Sequence, residues 1–162
     1  MSDENGCSAF VVYVGYIGLI LNRAIRYSRG GPLEVIHRKQ LTVEQAKSAM
    51  ETGEFPKEVI GSNKHVAVVL TQDWCSQWSQ MKFWLKSLEK EESPEGSPQD
   101  LDIDVYEFVY NTVDIFQSFM DFKERSFKNG LIPYIRYYSN GNFTGDSNFT
   151  SSPSFLDRFK AE

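Results

Sequence analysis

Short apolar runs separated by polar breaks predict four β-strands after residue 60. Residues His65 to Thr71 form a short, valine-rich apolar run, which is typical of a central strand buried on both faces of a sheet. Ile103 to Tyr110 predicts a second strand, and Tyr134 to Ser139 alternates in the manner of a third. The dipeptide Asn140-Gly141 then predicts a hairpin that returns as a short edge strand over Asn142 to Gly145.

Helix signals lie before, between and after these strands. Thr42 stands three residues before Gln45, which is a capping-box arrangement that opens a helix. A stripe of apolar residues at spacings of three and four, which includes Trp78 and Met81, predicts a helix after the first strand. The predicted helices are Val43 to Glu51, Cys75 to Glu91, Val113 to Arg125 with Asn111, Thr112 and Asp114 at its start, and a C-terminal helix with Ser152 as cap and Pro153 in its first position. This order of elements predicts an α/β domain.

The N-terminal part of the chain has a different pattern. Residues 9–21 are uncharged throughout, but a membrane-spanning helix needs about 20 apolar residues, so an extra strand or helix is the preferred interpretation. Acidic residues precede this segment and arginines follow it, which is the reverse of a cleaved signal. We therefore expect an N-terminal extension over residues 1–40, a domain over residues 41–162 and a cytoplasmic location, with membrane association through residues 9–21 as the weaker alternative.

Charge and composition exclude several classes of function. The chain has 162 residues and a formal net charge of −5, which disfavours nucleic acid as a partner because a basic face is needed to contact phosphates. Its two cysteines, Cys7 and Cys75, are too few for a disulfide framework. Neither histidine stands at metal-ligand spacing from other ligands, and no glycine-rich phosphate loop is present. We expect no metal and no cofactor.

The sequence around Cys75 carries a motif. The order is a buried strand, Trp74-Cys75-x-x-Trp78, a helix, a strand, a helix, Ile132-Pro133 and a hairpin closed at Asn140-Gly141. From about His65 to Lys160 this layout resembles the thioredoxin family. The resemblance implies a thioredoxin fold, in which a central mixed β-sheet is flanked by helices, preceded here by the N-terminal extension.

The resemblance also implies roles for individual residues. The family's reactive cysteine begins a helix, where free backbone N–H groups and the helix dipole favour the nucleophilic thiolate, and Cys75 occupies that position. By resemblance, Pro133 is a cis-proline beside the sulfur, and the backbone of Ile132 pairs with a bound peptide. The family has an aromatic residue at the rim of its peptide groove, and Trp74 occupies the matching position.

Two departures from the family pattern change the expected chemistry. The second cysteine, which resolves mixed disulfides in the family, is replaced by Trp78. The buried acid of the central strand, six residues before the reactive cysteine in the family, is replaced by Val69. Both changes argue against ordinary dithiol disulfide reduction, and the sequence leaves open whether the chain is an enzyme.

Two functional interpretations remain at this stage. In the first, Cys75 is a single-cysteine redox site that forms mixed disulfides with a protein client or with a low-molecular-weight thiol such as glutathione. In the second, the chain is a redox-inactive protein-binding module that uses the same groove. Trp78 either lines the peptide site with Trp74, Ile132 and Pro133 or packs in the core, and its place in the apolar stripe favours packing. The triplets at Asn142 and Asn148 match the N-glycosylation pattern, which short polar loops meet by chance.

Overall fold

The structure is a computed structural model that describes residues 34–89 and 101–160. These residues belong to the compact unit Glu34–Glu162. The apolar segment 9–21, Cys7 and the polar loop predicted over residues 91–100 lie outside the described residues. None of the helices within the two described ranges is long and apolar enough to cross a membrane.

A five-stranded mixed sheet forms the centre of the unit, with strand order β1-β3-β2-β4-β5. The strands are β1 Glu34–Gln40, β2 His65–Thr71, β3 Leu101–Val109, β4 Tyr134–Ser139 and β5 Asn142–Ser147. β3 runs parallel to both β1 and β2, whereas β4 is antiparallel to β2 and to β5. The predicted bounds of β2 and β4 are confirmed, and β2 is buried along its whole length as its valine-rich sequence predicts.

Within the described residues, five α-helices accompany the sheet. They are α1 Val43–Thr52, α2 Lys57–Ile60, α3 Ser76–Leu88, α4 Phe116–Ser126 and α5 Ser152–Lys160. The capping box of α1 is confirmed, because the amide of Gln45 donates to Thr42 Oγ1 at 3.1 Å and the amide of Thr42 donates to Gln45 Oε1 at 3.0 Å. Gly53 ends this helix with a φ of 85°, a left-handed conformation that glycine adopts without steric cost.

Two predicted helix starts are wrong. α4 begins at Phe116 and not at Val113, because Tyr110–Thr112 form a 3-10 turn and Ile115 stands at the cap without a side-chain hydrogen bond. In α5 the cap is Ser151 and not Ser152, since Ser151 Oγ accepts from the amide of Ser154 at 3.4 Å. The short helix α2 was not predicted.

β1 is the main element that sequence patterning misses. The sequence pattern places residues 34–40 in the N-terminal extension, yet this segment pairs with β3 along its whole length, so the sheet begins ahead of the predicted boundary at residue 41. Most residues of this segment are polar, so its sequence lacks the apolar pattern that predicts a strand. Arg38 pairs with buried Glu107, and Lys39 Nζ contacts buried Asp104 at 2.5 Å, so charges in β3 compensate the charges of the edge strand.

The sheet separates two hydrophobic cores. On one face, α1 and α4 pack Ala46 and Phe119 against Val68 of β2. On the other face, α3 and α5 pack Trp78 and Phe155 against Ala67 and Val69 of the same strand. Successive side chains of β2 therefore enter opposite cores, which gives a three-layer α/β/α arrangement.

Candidate functional site

The pairing of β2 with β4 brings the predicted site residues to one edge of the sheet. Leu70 near the end of β2 pairs with Tyr134 at the start of antiparallel β4. Cys75 follows β2, and Pro133 directly precedes β4, so both lie beyond the same edge. The Ile132–Pro133 peptide bond is cis in the structure.

Cys75 caps the N-terminus of α3 with its side chain. Its backbone is extended, with φ −72° and ψ 109°, and its Sγ accepts a hydrogen bond from the amide of Trp78 at 3.4 Å. The amide of Cys75 donates to the carbonyl of Gln72 at 3.1 Å, which closes the turn between β2 and α3. Cys75 is a free thiol and is 5% exposed. The sulfur therefore lies where partial positive charge from unpaired N–H groups collects.

The turn before Cys75 is held by the residues that follow β3. Asp73 and Asn111 bond reciprocally, since the Asp73 amide donates to Asn111 Oδ1 at 2.9 Å and Asn111 Nδ2 donates to Asp73 Oδ1 at 2.7 Å. Beneath them, Gln72 Nε2 donates to Tyr110 Oη at 3.1 Å. Burial raises the pKa of Tyr110, so its hydroxyl stays protonated at neutral pH. These bonds fix the backbone from which Cys75 projects.

The two tryptophans of the motif have opposite environments. Trp74 is 69% exposed beside the cysteine, whereas Trp78 is 1% exposed in the core with Met81 and Leu85. Trp78 therefore lies where the packing interpretation places it and offers almost no surface to a peptide. Ile132 is half-buried against both cores, Pro133 is buried, and Leu131 is 66% exposed.

A buried carboxylate lies on the strand next to Val69, in β3. Val69 is fully buried and pairs in register with Glu107. Alternation along β3 places Glu107 on the same face as Val105, which belongs to the core of Cys75. The carboxylate is engaged by Arg38, whose pKa its hydrogen bond raises. We assign Glu107 to the pairing of β1 with β3. The sequence signal is an acid between apolar residues of a predicted strand, which Glu107 shares with Asp104.

Two further polar side chains hold the loop before β4, and no sequence pattern predicts this role for either. Lys123 of α4 and Asn148 after β5 both donate hydrogen bonds to backbone carbonyls of residues 129–133. Lys123 belongs to no sequence motif and Asn148 belongs only to a glycosylation triplet, so the folded structure alone reveals their bonds to this loop. In the two described ranges, no cluster of three or more His, Cys, Asp or Glu side chains could hold a metal ion.

No family model matches the chain, and no curated protein matches its sequence. Among solved structures, thioredoxin O1 from Arabidopsis thaliana in the oxidized state aligns with a TM-score of 0.48 and 14% identity, over 76% of this chain and 95% of that one. A mutant thioredoxin from Halobacterium salinarum aligns with a TM-score of 0.47 and 12% identity, over 82% and 94%. A mutated buckwheat glutaredoxin aligns with a TM-score of 0.38 and 15% identity, over 65% and 78%.

The chain has a thioredoxin fold. This conclusion follows from the mixed sheet of order β1-β3-β2-β4-β5, with α1, α2 and α4 on one face and α3 and α5 on the other, a cysteine at the start of the helix after β2 and a proline directly before β4. The structure confirms the fold class that the sequence resemblance predicts. Its sheet contains one strand, β1, that the sequence pattern does not predict.

Proposed function

We propose that this protein is a thioredoxin-like protein with a single-cysteine redox site at Cys75. The observation that carries the proposal is the position of the sulfur, which caps α3 by accepting the amide of Trp78 at 3.4 Å. A thiolate accepts such a bond more strongly than a thiol, and the helix N-terminus favours negative charge. The capping position therefore supports the nucleophilic form.

The reaction would be thiol–disulfide exchange that stops at a mixed disulfide. The Cys75 thiolate attacks one sulfur of a client disulfide, so a bond forms between the two sulfurs and the client's other sulfur leaves as a thiolate. Trp78 stands where a second cysteine would complete the exchange. Release therefore needs an outside thiolate, such as that of glutathione, which attacks the client sulfur, bonds to it and returns Cys75 as a thiolate.

Exposed apolar groups around the cysteine would hold the client. Trp74 and Leu131 are 69% and 66% exposed, and they lie on the two segments that meet at this edge of the sheet. Ile132 and Pro133 lie between Leu131 and β4. An extended, apolar client segment would be held between Trp74 and residues 131–133, which we call the groove.

A second candidate function is a redox-inactive protein-binding module that uses the same groove. It is favoured by the 5% exposure of Cys75 and by the engagement of Glu107, the buried acid nearest Val69, with Arg38. A client disulfide must reach the sulfur, and a buried thiol reacts slowly unless the turn around it opens. The exposed surface of Trp74 and Leu131 would serve binding in either case.

Native mass spectrometry with a matched serine variant tests the proposal. The full chain carries Cys7→Ser so that only Cys75 can react, and the control carries Cys75→Ser as well. With oxidised glutathione, we expect one glutathione adduct on the first chain and none on the control. If the folded chain forms no adduct while the same chain in urea does, Cys75 is shielded and the redox proposal fails. Binding of an apolar peptide by both chains would then support the second candidate.

A further inference from the structure

We infer that Lys123 is a positioning residue of the groove, because its buried ammonium group holds the loop that precedes β4 by two backbone carbonyls. We call residues 128–133 the groove loop. The inference rests on the proposed function and extends it, since it assigns recognition of the client peptide to a residue that does not touch the thiol.

Lys123 reaches the groove loop from inside the protein. It lies in the last turn of α4 and its side chain is 0% exposed. Its Nζ donates to the carbonyl of Asn129 at 2.6 Å and to the carbonyl of Leu131 at 3.1 Å, and it lies 5.6 Å from the centre of the Tyr134 ring. Both hydrogen-bond partners are backbone atoms of the loop, so the charge is compensated there.

Burial of this lysine is costly, which argues that its contacts have a specific role. Desolvation lowers the pKa of Lys123 to about 8. An apolar side chain of the same length would fill the same space in the core without that cost. What an apolar residue cannot supply is a charged donor to two carbonyls that lie close together in the loop.

Asn148 also holds the groove loop. Its Nδ2 donates to the carbonyl of Pro133 at 3.0 Å and to Asn129 Oδ1 at 3.2 Å. Asn129 returns a bond to Asn148 Oδ1 at 3.1 Å and accepts the amide of Leu131 at 2.9 Å. The carbonyls of residues 129, 131 and 133 are therefore all held by side chains, on both sides of Ile132.

This arrangement fixes the backbone that a peptide would contact. A loop that is ordered before binding loses less conformational entropy when the ligand arrives. Loss of the Lys123 bonds would therefore slow the capture of peptide disulfides. A small disulfide needs access to Cys75 alone, so its reaction would be unchanged.

Two chromogenic probes with the same leaving group test this inference. One is Ellman's reagent, and the other is an apolar peptide whose single cysteine is blocked as its nitrothiobenzoate disulfide. Attack by Cys75 on either probe releases nitrothiobenzoate, and the Cys75 sulfur becomes bonded to the other half of the probe. The variant is Lys123→Met, and the control is Lys47→Met, which places the same substitution on an exposed lysine of α1, outside the groove and the groove loop. All chains carry Cys7→Ser.

We expect Lys123→Met to lower the rate with the peptide probe about tenfold or more. The loss of one charge-assisted hydrogen bond changes the equilibrium between the ordered and the disordered loop by about that factor. The rate with Ellman's reagent and both rates of Lys47→Met should stay unchanged. Equal rates for Lys123→Met and wild type with the peptide, or an equal fall with both probes, would overturn the inference. If Lys123→Met does not fold, Asn148→Ala provides the same comparison. If the wild type reacts with neither probe, the proposed function itself fails.

Discussion

Replacing Trp78 with cysteine tests the packing and the chemistry of the site together. The ring of Trp78 is 1% exposed, and its loss leaves a cavity between α3 and the sheet. Large-to-small changes of this kind cost about 3–5 kcal/mol. The indole Nε1 is buried without a hydrogen-bond partner, and removal of an unsatisfied donor returns about 1 kcal/mol. The expected loss is therefore about 2–4 kcal/mol, out of the 5–15 kcal/mol typical of a domain.

Urea unfolding followed by far-ultraviolet circular dichroism, in a reducing buffer, measures this loss. Trp74→Cys is the matched control, because it makes the same substitution at a side chain that is 69% exposed, and we expect it to change stability by about 0.5 kcal/mol or less. A loss below about 1 kcal/mol for Trp78→Cys would refute the assignment of Trp78 to the core.

The same variant restores a second thiol three positions after Cys75. If the groove and the capping sulfur are competent, folded Trp78→Cys should reduce the disulfides of insulin, which the wild type cannot do without an outside thiol. Turbidity of reduced insulin reports this activity. A folded variant that remains inactive would show that the site does not support exchange even with a resolving cysteine.

Three further predictions concern stability. Thr42→Ala removes the capping box of α1 and should lower the free energy of unfolding by about 1 kcal/mol in urea titrations. Arg136→Met should cost about 1–3 kcal/mol, because it removes charge-assisted hydrogen bonds to Glu54 and to the Tyr138 hydroxyl while Glu54 keeps solvent and that hydroxyl as partners, and a loss within error would contradict the network. Because the native pKa of Lys123, about 8, lies below its usual 10.5, the unfolded chain binds a proton that the native state lacks between these values. The free energy of unfolding of the wild type, measured relative to Lys123→Met, should therefore rise from pH 8 to 10.5, and a flat difference would argue against the shift.

Strands whose buried positions follow from a local sequence pattern can be predicted from the sequence alone. β2 follows from a local apolar run, β4 follows from local alternation, and the hairpin between β4 and β5 follows from Asn140-Gly141. β1 could not be predicted in this way, because the acids that compensate Arg38 and Lys39 come from β3, far along the chain. Its strand character depends on a tertiary pairing that no local pattern reports.

The residues of the candidate site also fall into two groups, those that the sequence predicts and those that only the structure reveals. Cys75 and Trp74 carry a motif and a position relative to the helix, so the sequence predicted both. Lys123 and Asn148 act through bonds to backbone carbonyls, and backbone atoms have no signature in a sequence. Lysine at 123 could equally have been a solvent-exposed residue of an amphipathic helix until the structure placed it inside the fold.

The bond between Asn148 and the carbonyl of Pro133 makes the two Asn-Phe-Thr triplets unequal as attachment points for sugar. Asn142 is exposed on β5, and a glycan on its amide nitrogen would extend into solvent. The amide nitrogen of Asn148 already donates to the carbonyl of Pro133 and to the side chain of Asn129. An attached glycan would replace one of its two hydrogens, so the nitrogen could no longer donate to both acceptors. In a secretory expression host, a chain modified at Asn142 would keep its groove loop intact, whereas modification at Asn148 would release one side of it.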